Sequence, residues 1–149
     1  MIGTIIVLAV AGYLLACLLA GFGDAGTLRD FEPHNRPLVR RFAQPVDRVM
    51  SAYRSAIPST PGLRQVDQAD GEMLLDLRPT TRVLGGNFGL VIRLRFHHDG
   101  PGTRLVAESR NKVPFAIRVN DQAAFQHAER AVRMRAKRAG LDEVIVGLR

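Results

Sequence analysis

An uninterrupted apolar run opens the chain and restricts what it can fold into. From Ile2 to Phe22 there is no charged residue, and leucine, isoleucine, valine, alanine and glycine dominate. As an α-helix with about 1.5 Å of rise per residue, the run would be ~30 Å long, which is the thickness of the hydrocarbon core of a bilayer. We therefore predict a transmembrane helix over residues 1–23.

Two kinds of signal sequence are the alternatives to an uncut anchor. Leu14–Cys17 resembles a lipobox, in which the cysteine would be acylated, whereas a cleaved secretory signal normally opens with lysine or arginine. No basic residue precedes the run, and the chain stays apolar from Leu18 to Ala20. Both observations favour the anchor. A lipoprotein would place the same domain outside the inner membrane.

The arginines on one side of the run predict its orientation. Arg29, Arg36, Arg40 and Arg41 follow the run, and no basic residue precedes it. Because basic residues close to a membrane span stay on the inner side, we expect an inner (plasma) membrane protein. Its N-terminus would be outside and its C-terminal domain cytoplasmic.

Small residues recur at every fourth position within the run, at Gly12, Ala16 and Ala20. At this spacing they share one face of the predicted helix. In lipid, helices associate where small residues let their backbones approach each other. This face is the predicted packing surface for a helix of another membrane protein.

The part of the chain beyond the run carries the whole formal charge of +7, because no charged residue precedes Asp24. A basic surface attracts acidic protein faces, anionic lipid headgroups and nucleic acid alike, so the charge does not choose among them. The single cysteine, Cys17, lies inside the apolar run and excludes an intrachain disulfide.

A juxtamembrane linker is predicted at 24–37, and one α+β domain at 38–149. Leu38–Phe42 is a short strand candidate, and Pro45 stands where the first turn of a helix accepts proline. The apolar residues that follow have helical spacing and form one predicted face: Val46, Val49, Met50, Tyr53, Ala56 and Ile57.

Several strands are predicted next. Leu63–Val66 and Met73–Leu77 flank Asp70-Gly71, a favoured hairpin turn. A further candidate at 80–84 leads to the turn residues 85–87.

The strongest strand is Phe88–His97, where apolar and largely basic positions alternate. A turn at Asp99–Gly102 returns the chain along Thr103–Arg110. This turn implies a register in which apolar residues lie opposite apolar residues and a basic residue lies opposite an acidic one. The pairs are Phe96 with Leu105, Leu94 with Ala107, and Arg93 with Glu108.

A terminal helix is predicted from Asn120 or Asp121 to about Ala139, with Gly140 just past its end. Its sides are apolar, with Phe125, Ala128, Val132, Ala136 and Ala139, and basic, with Gln126, Arg130, Arg133 and Lys137. Val144–Val146 are predicted to add a short strand or to dock on a partner. The predicted fold class is α+β: after the transmembrane helix, a small antiparallel sheet packs against two helices in the order strand, helix, four strands, helix.

Two family resemblances follow from this layout. Arg41–Val49, with its Gln44-Pro45 step, is similar to the opening of helix-grip domains of the polyketide-cyclase and START-like kind, and the resemblance covers about Leu38–Ala139. It implies a curved sheet that grips a helix. The anchor, size and arginine bias resemble single-pass accessory subunits of actinobacterial respiratory supercomplexes, which implies a supporting part in electron transport.

The residues that carry chemistry do not converge in the sequence. His97 and His98 are neighbours on a strand and so point to opposite faces. The potential metal ligands have no paired spacing, and the glycine-rich 85–89 lacks the Lys-Ser/Thr of a phosphate loop. No catalytic, cofactor-binding or metal-binding residue and no cofactor are therefore predicted.

The leading hypothesis is a non-enzymatic accessory or assembly subunit of a larger membrane complex. Its partners would be integral membrane protein subunits and membrane lipids, including anionic ones, but no nucleic acid, since no aromatics interleave with the basic residues. The predicted basic contact face consists of Arg93, Arg95, Arg130, Arg133 and Lys137. The alternative is a binding module that encloses a lipid or quinone in an apolar cavity, lined by Leu90, Ile92, Leu94, Phe96 and Phe125.

Overall fold

Three helices and five strands make up the part of the chain that the computed structural model describes, residues 1–79, 88–113 and 121–145. In chain order they are α1 (Ile2–Gly21), β1 (Leu38–Phe42), α2 (Val46–Ala56), β2 (Leu63–Ala69), β3 (Glu72–Leu77), β4 (Leu90–Asp99), β5 (Gly102–Asn111) and α3 (Asp121–Arg138). A short 3-10 turn, Ile57–Ser59, follows α2. The predicted α+β class is confirmed.

The five strands form one antiparallel sheet in the order β1-β5-β4-β3-β2. The β4–β5 hairpin has the predicted register: Phe96 lies opposite Leu105, Leu94 opposite Ala107, and Arg93 opposite Glu108. The predicted turn between β2 and β3 is present, and Gly71 adopts a φ of 68°, in the left-handed region that favours glycine.

Both α2 and α3 pack on one face of the sheet. Every member of the predicted apolar face of α2 is buried, as are Phe125, Ala128, Val132 and Ala136 of α3. These side chains join the inward residues of all five strands in a single core. Ala139, which the pattern placed with them, is exposed because α3 ends at Arg138.

The chain after α3 returns to the free edge of β1. Glu143 forms a bridge with Phe42, and the N–H of Val144 donates to the carbonyl of Arg41 at 2.8 Å. In place of the strand predicted at Val144–Val146, the described residues show one bridge at Glu143 and one backbone hydrogen bond from Val144. Val146, Asn120, the strand candidate at 80–84 and the turn at 85–87 lie outside the described residues.

Among the described residues, α1 is the one helix long and apolar enough to cross a membrane. Its mean hydropathy is 2.6, and 6% of its most apolar window is buried. A helix with this composition and so few internal contacts is suited to a lipid environment. Its orientation and the membrane it enters remain predictions.

Candidate interaction surfaces

Residues 22–37, here called the strap, pack on the sheet face opposite α2 and α3. Ala25 and Phe31 are buried against Leu74 and Val91. The sequence suggested a linker, and the structure shows a segment with fixed tertiary contacts that covers part of the second face of the sheet.

Hydrogen bonds hold the strap at both sides of the sheet. The N–H of Leu28 donates to Asp67 Oδ2 at 3.0 Å on β2, and the N–H of His34 donates to the carbonyl of Ser109 at 2.8 Å on β5. The guanidinium of Arg110 also donates to the Ala25 carbonyl. The strap therefore crosses from β5 to β2 and back.

Under the strap, two residues of the predicted basic contact face are neutralised internally. Arg93 and Arg95 approach the carboxylate of Glu108 at 2.7 and 3.1 Å. The Arg93 Cζ also lies 4.6 Å from the centre of the Phe31 ring, a cation–π contact. Arg93 therefore connects the strap to the sheet, and Arg95 links β4 to β5 through Glu108.

Two further members of that predicted face lie on the other side of the sheet. Arg133 and Lys137 of α3 approach Glu143 at 2.7 and 3.1 Å. Burial raises the pKa of Glu143, but the hydrogen bonds from Lys137 and Arg133 outweigh this effect, so that its pKa is lowered overall. The structure therefore does not bring the five predicted basic residues together, and of the five Arg130 is the one left exposed.

A buried acid connects α3 to β1. The side chain of Glu129 is fully buried and lies 3.1 Å from both Arg40 and Arg133. Its hydrogen bond with Arg40 raises the pKa of that guanidinium. A buried charge is tolerated when it is paired in this way, so this cluster has a structural role.

The outward side of α3 is different. It carries exposed or half-exposed side chains that together line a shallow groove of about 260 Å³. We call this surface the outer face of α3: His127, Arg130, Ala131, Met134, Arg135 and Arg138. Within the described part of the chain, none of its basic side chains forms an ion pair, and Met134 is 44% exposed. The face thus offers positive charge around an apolar centre.

The sequence contained the signal for this face. The buried stripe of α3 runs through Phe125, Ala128, Val132 and Ala136, and the opposite side of a helix with that stripe holds His127, Arg130, Met134 and Arg138. The predicted basic stripe lies partly beside the buried one, where Arg133 and Lys137 contact Glu143. Sequence reasoning had no way to place Glu143 near them.

The five residues of the predicted apolar cavity belong to the packed core. Leu90, Leu94 and Phe125 are fully buried, and Ile92 and Phe96 are 2% and 5% exposed. All five belong to the same hydrophobic core cluster. A ligand at this position would have to displace core side chains.

The predicted packing surface of α1 is open for most of its length. Gly12 and Ala16 are exposed, and no atom lies within 4 Å of a Cβ placed on Gly12. Ala20 is partly buried, because the end of α1, at Cys17 and Gly21, lies against its own domain. A partner helix can therefore reach Gly12 and Ala16 without displacing the domain.

The comparisons with known proteins add little to this geometry. No protein-family model and no curated protein sequence matches the chain. A crystal structure of TTHA0849 from Thermus thermophilus is similar at 12% identity and a TM-score of 0.41, over 70% of this chain and 97% of that one. Among the described residues, no group of three or more His, Cys, Asp and Glu side chains is placed to hold a metal ion.

Proposed function

We propose that this chain is a membrane-anchored, non-enzymatic interaction subunit of a larger membrane complex. In this proposal α1 packs among the helices of that complex, and the outer face of α3 contacts an acidic surface of one of its subunits on the cytoplasmic side. The complex implied by the sequence resemblance, a respiratory supercomplex, is the first one to test.

The placement of charge carries the proposal. Acids of the same domain form ion pairs with four of the predicted basic contacts, Arg93, Arg95, Arg133 and Lys137. The basic residues of the outer face of α3 have no ion pair within the described residues. An acidic partner gains attraction there without breaking an existing ion pair. Met134 at the centre adds the apolar contact that interface cores require.

The position of this face favours a protein over lipid headgroups. The end of α1 meets the sheet at Gly89. His98 is nine residues further along the chain, which is ~30 Å along β4. His98 pairs with Thr103, and Thr103 pairs with Phe42, so Phe42 lies at the same end of the sheet as His98. Phe42 also forms a bridge with Glu143, which follows α3 in the chain. The C-terminal half of the outer face therefore lies at the end of the sheet far from the anchor, and lipid headgroups beside the end of α1 are beyond the roughly 10 Å over which surface charge acts at 0.1 M ionic strength.

Purification of the tagged full chain in mild detergent, followed by mass spectrometry, tests the proposal. The wild type should recover membrane subunits in stoichiometric amount, and Arg130→Glu should reduce that recovery several-fold. Arg54→Glu, an equal charge change on an exposed site of α2, is the matched control and should have little effect. Recovery of a lone monomer, or equal recovery with both variants, would contradict the proposal.

Gly12→Leu tests the part played by α1. The substitution fills an open site on the exposed face of the helix, so it should weaken recovery of the complex while leaving the isolated chain folded. Equal recovery from wild type and Gly12→Leu would mean that this face packs against lipid alone.

The orientation needs its own measurement. A C-terminal tag should resist protease added outside spheroplasts and become sensitive after lysis. Cleavage of the tag in intact spheroplasts would place the domain on the outer side and exclude the cytoplasmic contact.

A further inference from the structure

Three strands place basic side chains directly beside one another on the face of the sheet that the strap partly covers. Arg41 on β1 lies opposite Arg104 on β5, and Arg104 lies opposite His97 on β4. Opposite residues in antiparallel strands point to the same face. Arg41, Arg104 and His97 therefore form one row across the sheet, here called the cationic row after its two arginines.

Elsewhere on this face, three cross-strand pairs place an acid opposite a base. Arg93 faces Glu108, Arg95 faces Glu72, and Arg64 faces Asp76. Such cross-strand pairs stabilise a sheet, whereas like charges directly opposite each other destabilise it.

Internal acids compensate the cationic row poorly. Arg41 approaches Asp99 at only 3.6 Å, with the two side chains 48% and 44% exposed. Arg104 is exposed and has no ion pair among the described residues. The row thus combines a repulsive arrangement with an open surface, which an external anion would relieve.

The strap leaves this part of the face uncovered. Its contacts with the strands all lie nearer to α1 along the strands than the row does: they are with Asp67, Leu74, Val91, Arg93, Ser109 and Arg110. His97 is eight residues beyond Gly89, or ~26 Å along β4. This distance favours a protein ligand over lipid headgroups beside the end of α1.

Two valines adjoin the row. Val39 lies opposite Val106 in the β1–β5 pairing, and Val39 is 52% exposed. They present an apolar surface two residues along the strands from Arg41 and Arg104. The combination fits a segment that alternates acidic with apolar side chains.

We propose that the cationic row and Val39 bind an extended acidic segment of a partner protein. Carboxylates two residues apart on such a segment are ~7 Å from each other, a spacing that the long side chains of Arg41 and Arg104 can span. This contact is independent of the outer face of α3, which lies on the other side of the sheet. It would give the chain a second recognition surface.

The first test measures peptide binding to the full chain in detergent micelles by fluorescence anisotropy. The probe is a fluorescein-labelled octapeptide of alternating glutamate and valine, with a glutamine–valine peptide as its uncharged counterpart. The glutamate peptide should bind more tightly, and Arg104→Gln and Arg41→Gln should each weaken it by about fivefold or more, since charge-assisted hydrogen bonds are lost. Arg54→Gln makes the same charge change on α2 and should leave binding within about twofold.

A second test locates the peptide. A photo-crosslinking amino acid at position 39 should capture the glutamate peptide, and the same amino acid at position 134, on the outer face of α3, should not. Capture at position 134 alone, or equal weakening by Arg104→Gln and Arg54→Gln, would overturn the proposal. So would displacement of the peptide by phosphatidylglycerol vesicles or by millimolar phosphate. Because Arg104→Gln leaves α3 unchanged, co-purification of the membrane complex should persist in that variant.

Discussion

The backbone of Gly21, at the end of α1, lies directly against that of Gly89, just before β4. A Cβ on Gly89 would lie 2.9 Å from the carbonyl oxygen of Gly21, and one on Gly21 would lie 2.7 Å from Pro79 Cγ and would overlap the carbonyl group of Phe88. Gly89 also has a φ of 98°, in the left-handed region that favours glycine. Only glycine at both positions allows α1 to approach the sheet this closely, and Cys17, one turn earlier, is fully buried beside the contact.

Gly21→Val should therefore separate the end of α1 from the domain. The measurement is the rate at which a maleimide labels Cys17, the single cysteine, in the purified chain. We expect a rate at least about tenfold above that of the wild type, which corresponds to a weakening of the contact by ~1.4 kcal/mol. Gly12→Val is the matched control, since nothing lies within 4 Å of that position. Equal labelling of the two variants would show that the Gly21 contact does not bury Cys17.

The contrast between β4–β5 and the strap shows what the sequence could predict. The register that pairs Phe96 with Leu105 follows from strict alternation and a short turn, which are local properties of the chain. The strap has no periodicity, and the burial of Phe31 depends on Leu74 and Val91, more than forty positions away in the sequence. The sequence alone therefore indicated a linker there.

The same distinction explains the candidate surfaces. Helical spacing shows which positions of α3 share a side, but the partner of each charge is decided by tertiary contacts. Arg133 and Lys137 meet Glu143 only because the chain beyond α3 turns back onto β1. Arg130 has no such neighbour among the described residues, so its role as a candidate contact emerges from the fold.

Phe31→Ala should loosen the strap. Phe31 is 8% exposed, and its loss removes both the contacts with Leu74 and Val91 and the cation–π contact with Arg93. We expect a loss of about 3 kcal/mol in the free energy of unfolding, measured with urea in detergent. Limited trypsin digestion should also cleave faster after Arg29, which is exposed on the strap. An unchanged digestion rate would mean that Phe31 does not hold the strap in place.

Tyr53→Phe should cost little stability or increase it. The Tyr53 hydroxyl is buried and has no hydrogen-bond partner among the described residues, and burial raises its pKa well above the ordinary value, so the group stays neutral. Phenylalanine retains the edge-to-face contacts with Phe42 and Phe96, whose ring centres lie 6.0 and 5.7 Å away. Removal of an unpaired buried hydroxyl should change the free energy of unfolding by no more than about 1 kcal/mol and is expected to raise it. A loss of more than about 2 kcal/mol would show that the hydroxyl is satisfied in solution.

Glu143 should make stability depend on pH in the acid range. Burial opposes its charge, but Lys137 and Arg133 outweigh that effect and lower its pKa in the folded chain below 4.5. A group whose pKa is lowered by folding stabilises the protein above its unfolded pKa, and that stabilisation is lost as the pH falls through the folded value.

Glu143→Gln removes this contribution, so the variant should melt below the wild type at neutral pH by an amount equivalent to about 1–2 kcal/mol. The two melting temperatures should converge as the pH falls below about 4.5. Glu32→Gln, the same change at an exposed position of the strap, is the control and should follow the wild type throughout. A difference in melting temperature between Glu143→Gln and wild type that stays constant down to pH ~3 would assign the effect to packing. A contribution from the carboxylate must shrink once the pH falls below the pKa of Glu143 in the unfolded chain.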